Sequence, residues 1–181
     1  MKTKVFLINE KTIKDNSQLN DNFFPKYLLP CIRSAQDIEL QSILGECLYQ
    51  SILNKVSDGS ITSGSNIAYK DLLDNYIQDF LLYEVLRESV LVSNVKIANL
   101  GTKLTEDEKI VSLSEGEADL LQQSFENKAN FYKRRMQDYL KNNYDSFPEL
   151  AECVCNCKFT IKPNLDSAES VGLWLGGLYS K

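Results

Sequence analysis

AYKDLLDNYIQDFLLYEVLRESVLVS, residues 68–93, is the most apolar stretch of the chain. Leu72, Leu73, Tyr76, Ile77, Phe80, Leu81, Tyr83, Leu86, Val90 and Leu91 recur at helical spacing and leave a narrow polar strip. That is the pattern of a helix covered by neighbours on most of its sides. Its acids Asp71, Asp74, Asp79, Glu84 and Glu88 read as the solvated strip and not as a catalytic carboxylate pair. A helix this apolar needs other helices around it, so the sequence must supply them on either side.

Upstream, Leu48, Tyr49, Ile52, Leu53 and Val56 share one face of a helix from about Gly45 to Ser57. Residues 58–67, with two Gly and three Ser, have loop composition and read as a mobile surface loop able to bind. Before Gly45, a natural stop, the positions Phe24, Leu28, Cys31, Ile32, Ala35 and Ile38 predict a further helix capped at Asp21 or Asn22, with Pro25 in its first turn. Pro30 should bend that helix or reset its start. Residues 1–20 read as an arm: the apolar anchor Val5-Phe6-Leu7-Ile8, then a polar stretch.

Downstream, the period breaks. Val95, Ile97 and Leu100, then Ile110, Val111 and Leu113, flank Gly101 to Lys109 in the manner of a small hairpin or protruding loop. Ser114-Glu115-Gly116-Glu117 matches a capping box and opens a second long helix with Ala118, Leu121, Phe125, Ala129, Tyr132, Met136, Tyr139 and Leu140 on its inner stripe. Lys133, Arg134 and Arg135 form a basic turn on its outside, either a solvated face or a surface for an acidic partner. The helical domain thus spans residues 21–144. Residues 145–181 read as an extended arm: a turn at Phe147-Pro148-Glu149, strand-like alternation over 152–162, and an apolar tail holding Leu173, Trp174, Leu175, Leu178 and Tyr179. Such a tail, carrying the only Trp, is better explained by docking on a partner than by a core the helices already provide.

At 181 residues, 43% hydrophobic, with eight Gly and four Pro, the chain can fold as one mainly α domain without disulfides or metal. It has no histidine, which excludes Ser-His-Asp and Cys-His sites, H-E-x-x-H zinc sites and histidine pH switches. No glycine-rich phosphate loop is present. The net charge of −5 argues against a surface given over to nucleic acid. No apolar run approaches the roughly 20 residues of a membrane span, and the N-terminus lacks a signal-peptide core, so the expected site of synthesis is a cytoplasm.

The five cysteines cannot all pair. Cys31 and Cys47 fall within helical patterns and read as small buried hydrophobes. Cys153, Cys155 and Cys157 alternate, placing three thiols on one face of an extended strand, and lack both a fourth ligand and the C-x-x-C spacing that zinc favours. No metal or cofactor is expected.

The order of motifs is itself informative. Asn22-Phe23-Phe24-Pro25-Lys26-Tyr27-Leu28, Ala35-Gln36-Asp37-Ile38, Ile43-Leu44-Gly45-Glu46-Cys47-Leu48-Tyr49, Leu72-Leu73-Asp74-Asn75-Tyr76-Ile77, Asn99-Leu100-Gly101, Ala129 through Arg135 with Tyr139-Leu140, and Phe147-Pro148-Glu149 follow one another. Over about residues 3–150 this series resembles the head-to-tail connector (adaptor) proteins of tailed bacteriophages, and most closely those of phages infecting Bacteroidetes, including the ring proteins of crAss-like phages.

The resemblance implies a four-helix adaptor bundle in a homo-oligomeric ring of about twelve copies beneath the portal. Such a ring extends the DNA channel, binds portal, neighbours and other tail or ring proteins, and lets packaged DNA pass without sequence-specific binding. On this reading the protein is a virion component of the portal–tail junction with no catalytic residue. Its contact surfaces are Leu173, Trp174, Leu175, Leu178, Tyr179, Arg134, Arg135 and the loops 58–67 and 101–109. The competing expectations are a small intracellular enzyme or regulator working through carboxylates or thiolates, and a DNA-binding packaging component working through Lys133 to Arg135.

Overall fold

The structure, a computed structural model, describes residues 4–17, 25–98, 101–104 and 115–152. It is mainly α, as the periodicity predicts. After the arm come α1 (Glu10–Asp15), α2 (Pro25–Ser34), α3 (Gln41–Leu44), α4 (Glu46–Ser57), α5 (Ile67–Leu72), α6 (Gln78–Asn94), α7 (Glu115–Asn142) and α8 (Glu149–Glu152). Two π-helical turns, Ala35–Leu40 and Leu73–Ile77, fuse α2 to α3 and α5 to α6. The body therefore consists of four helical runs, 25–44, 46–57, 67–94 and 115–142. Between the last two, β1 (Val95–Ala98) pairs antiparallel with β2 (Gly101–Leu104), Val95 opposite Leu104 and Ala98 opposite Gly101. No helix among the described residues is long and apolar enough to cross a membrane.

The run 67–94 sits at the centre of the core, as its composition demands. Leu72, Ile77, Phe80, Leu81, Val85 and Leu86 are all buried, packed against the faces of α2, α4 and α7. On α4 the expected face is inward, with Leu48, Tyr49 and Ile52 buried and Leu53 and Val56 packed at its edge. On α7 the stripe holds from Ala129 to Leu140, whereas Leu121 near its start stays exposed. Gly45 joins α3 to α4 at φ 76°, ψ 157°. That region is essentially closed to residues with a Cβ, so the glycine both stops one helix and turns the chain into the next.

Several expectations need correcting. Ile38, placed at the end of the α2 stripe, is 63% exposed. The π turn accommodates one extra residue, shown by the Gln41 N–H bonding the Gln36 carbonyl five residues back, and the phase slips. Ala35, Gln36, Leu40, Ile43 and Leu44 point inward instead. Pro30 does not reset the start of α2; it sits within the helix, leaving the Lys26 carbonyl without its usual partner. The polar stretch of the arm forms α1, with Asn9 capping it by accepting from the Thr12 N–H and Ile13 fully buried. Glu84 is buried, held by Arg87.

Residues 58–66 wind into two 3-10 turns closed by Asp58 on the Ser60 N–H and by the Asn66 amide on the Ser60 carbonyl, with Ile61 buried beneath. Residues 145–152 belong to the helical body and not to an arm: Phe147 and Leu150 are in the core. Cys31 is buried as expected, but Cys47, near the exposed start of α4, is half-buried and disulfide-bonded. Ser114, residues 105–109, the cysteine strand from Cys153 and the tail around Trp174 lie outside the described residues.

Candidate functional site

The motif residues converge on three places. The first is a clamp on the N-terminal arm. Gln36, with no exposed surface, accepts the Leu7 N–H at Oε1 (2.9 Å) and donates through Nε2 to the Val5 carbonyl (3.0 Å) and the Tyr49 hydroxyl (3.1 Å). Tyr49 in turn donates to Asp37 (2.9 Å), whose other oxygen is paired with Lys4. Gln36 thus completes the arm's backbone hydrogen bonds much as a neighbouring strand would. Burial pushes the Tyr49 phenol up, with the Gln36 hydrogen bond working against it, and burial, then Arg33, lowers the Lys4 ammonium. Leu7 and Ile8 dock in the core, and Gln78 adds a longer bond to the Leu7 carbonyl (3.4 Å).

The second place is the Phe147 corner. The ring of Phe147 is fully buried, edge-on to Tyr69 (5.1 Å between centroids) and Tyr139 (6.2 Å). Two residues on, Glu149 accepts from the Tyr69 hydroxyl (2.7 Å) and from Ser51. Burial, reinforced by the Glu149 carboxylate, raises the Tyr69 phenol far above its usual value, so it stays protonated and donates. These groups close the body where α4, α5, α7 and α8 meet.

The third is the outer strip of α7, where two of the predicted contact residues, Arg134 and Arg135, lie. Tyr76 stacks on Tyr139 (4.2 Å) and Tyr83 on Tyr132 (5.3 Å), forming an aromatic seam between α7 and the 67–94 run. Arg135 lies over the Tyr76 ring (5.0 Å) and reaches Asp79 (3.5 Å); burial raises the Asp79 carboxyl and Arg135 opposes that shift. Arg134 is exposed and has no ion pair among the described residues. It lines a shallow depression of about 480 Å³ together with Phe131, itself 62% exposed, Tyr76, Tyr139 and Asn142. The structure therefore divides the predicted pair: Arg135 is tied into the seam, and Arg134 is presented outward. An exposed guanidinium beside an exposed aromatic ring can take a carboxylate or a phosphate on a partner.

Sequence reasoning missed Gln36 and Glu149. The available signal for Gln36 was a polar residue beside Ala35, where the apolar stripe should continue. Cys31 bears on the thiol chemistry held open by the sequence. Burial pushes its thiol up to about 11, and its Sγ donates to the Tyr27 carbonyl (3.3 Å), the reverse of an activated nucleophile. Among the described residues no cluster of ligating side chains could hold a metal ion.

Neither curated proteins nor solved structures match the chain. A family model does match, over residues 40–160, about two thirds of the chain, from the end of the first π turn across the central helices to beyond α8. The chain accordingly belongs to DUF6712, a family of unknown function.

Proposed function

We propose that the protein is a structural virion component, an adaptor subunit that forms a ring between the portal and the tail of a tailed phage and extends the DNA channel. The observation that carries this reading is the use made of the connector-like motifs. Gln36 and Tyr49 clamp an arm, Gly45 turns one helix into the next, and Phe147 and Glu149 seal the bundle. What these motifs specify is a rigid helical body with an anchored arm, the type of subunit an assembly repeats. The protonated, buried thiol of Cys31 supports a non-enzymatic role over the thiolate alternative.

On this reading, Arg134 with Phe131 and the apolar residues Leu173, Trp174, Leu175, Leu178 and Tyr179 dock portal, neighbouring copies or the next tail component. DNA passes without base-specific contact through a ring whose subunits each carry −5. Quantitative mass spectrometry with cross-linking on intact particles tests this. Near-equimolar amounts with the portal and cross-links from residues 165–181 to another subunit are expected. Absence from particles overturns the proposal. Deleting residues 165–181 should leave a helical protein that no longer enters particles, and normal incorporation would refute the docking role of the tail.

A further inference from the structure

The π turn that pushes Ile38 outward also shapes the surface beside it. A groove of about 630 Å³ runs along α2 and the turn, lined by Phe6, Lys26, Leu29, Pro30, Arg33 and Ile38. Its floor is apolar and open to solvent, Leu29 being 45% and Ile38 63% exposed. Its charge is positive on an acidic protein. Lys26 and Arg33 are exposed and have no ion pair among the described residues, whereas Asp37, the acid of the groove, is neutralised by Lys4.

Seven residues apart on one helix, Lys26 and Arg33 share a face with their backbones about 10 Å apart. The chain contains a segment of matching character. In Leu165-Asp166-Ser167-Ala168-Glu169-Ser170-Val171-Gly172-Leu173-Trp174-Leu175, two carboxylates precede an apolar run, with no basic residue between Asn164 and Ser180. Asp166 and Glu169, three residues apart, share a face with their backbones about 9 Å apart when the segment extends as a polyproline II helix, three residues to the turn. The order of chemistry, two anions then bulky apolar side chains, complements two cations beside an apolar floor.

We propose that this groove receives residues 165–181 of a second copy of the chain, Asp166 and Glu169 meeting Lys26 and Arg33 while Leu173 and Trp174 cover Leu29 and Ile38. The inference rests on the ring reading given above. A ring is built from a heterologous contact, one patch on each subunit meeting a different patch on the next, and groove and tail are such a pair.

The test is complementation between two full-length variants. Ile38→Asp spoils the groove at an exposed position, Trp174→Asp spoils the tail, and circular dichroism checks that both keep their helical content. By native mass spectrometry the wild type should form higher oligomers and each variant alone should be monomeric. The mixture should give a heterodimer that grows no further, because one intact groove and one intact tail remain. Arg33→Glu should weaken self-association about tenfold, and Glu169→Arg in the same chain should restore it. Variants that assemble like the wild type, a monomeric wild type, or a mixture that stays monomeric would overturn the proposal. A monomeric wild type beside a mixture that pairs is the result for a tail that folds onto its own groove, and a mixture that stays monomeric is the result for a tail that docks only on the portal. Particles carrying Ile38→Asp at the wild-type level would refute the groove and leave the ring reading intact, whereas absence of the wild type from particles would refute the ring itself.

Discussion

Replacing Gln36 by Leu should release the N-terminal arm without disturbing the bundle around it. The side chain is fully buried and makes three hydrogen bonds, to the Leu7 N–H, the Val5 carbonyl and the Tyr49 hydroxyl. Leucine is close in size, so the change leaves little cavity and the loss is polar. The Leu7 N–H, sealed beneath the buried Leu7 and Ile8, is left without an acceptor at a cost of about 1–3 kcal/mol. The Val5 carbonyl belongs to a half-buried residue and can turn to water, and Tyr49 keeps its bond to Asp37. The net destabilisation should be about 2 kcal/mol, which for a chain of this length lowers Tm by about 4–8 °C. Urea unfolding should show a lower midpoint at unchanged slope, and hydrogen exchange should speed selectively at Leu7. An unchanged midpoint together with an unchanged Leu7 exchange rate would refute the clamp.

Phe147→Ala should cost about 3–5 kcal/mol, because the ring is wholly buried against Tyr69 and Tyr139 and its removal opens a cavity; thermal unfolding measures this, and a loss under about 1 kcal/mol would show that the corner collapses around the gap. Arg87→Met should cost about 3 kcal/mol by stranding the buried carboxylate of Glu84, and adding Glu84→Gln should recover part of it in a double-mutant cycle. Cys31 should resist alkylation in the folded protein at about pH 8 and react only on unfolding; fast native labelling would contradict its burial. Because the folded thiol is pushed up to about 11, its contribution to stability is complete below the ordinary thiol pKa and is lost as pH rises toward 11, visible as a falling denaturation midpoint in alkaline buffer.

The long helices were legible because their periods are long and clean. The 68–93 stretch apart from Leu91, which is 50% exposed, the inner face of α4 and the C-terminal half of α7 lie where the spacing puts them. Periodicity failed where its assumption of about 3.6 residues per turn failed. The turn at 35–40 exchanged Ile38 for Gln36 at the core, and no propensity marks a π turn in advance. Glu84 was misplaced for a different reason: a buried carboxylate depends on a partner, Arg87, whose pairing is a tertiary matter. Phe147 was read as part of a turn because a single aromatic in a Pro-containing segment has no period at all. The outer strip of α7 was half legible, since sequence shows that Arg134 and Arg135 lie outside but not that Tyr76 and Asp79 take one of them. The remaining contact residues, Leu173 to Tyr179, lie outside the described part.

The second π turn, at 73–77, lets one unbroken rod speak to two audiences. Above it, Tyr69 faces the Phe147 corner; below it, Tyr83 faces Tyr132 of α7. A π turn spends five residues on the rotation that an α turn makes in four, so removing one residue from it would heal the hydrogen-bond ladder and leave both halves facing as before, whereas removing one from plain α-helix would swing everything beyond the cut by about 100°. Both halves would stay perfectly helical, yet only one could keep its neighbours. The same holds at 35–40, where the extra residue is what leaves Ile38 outside beside the groove. For this architecture the length of a helix is a gear setting, and single-residue deletions outside the two π turns should be more damaging than many core substitutions.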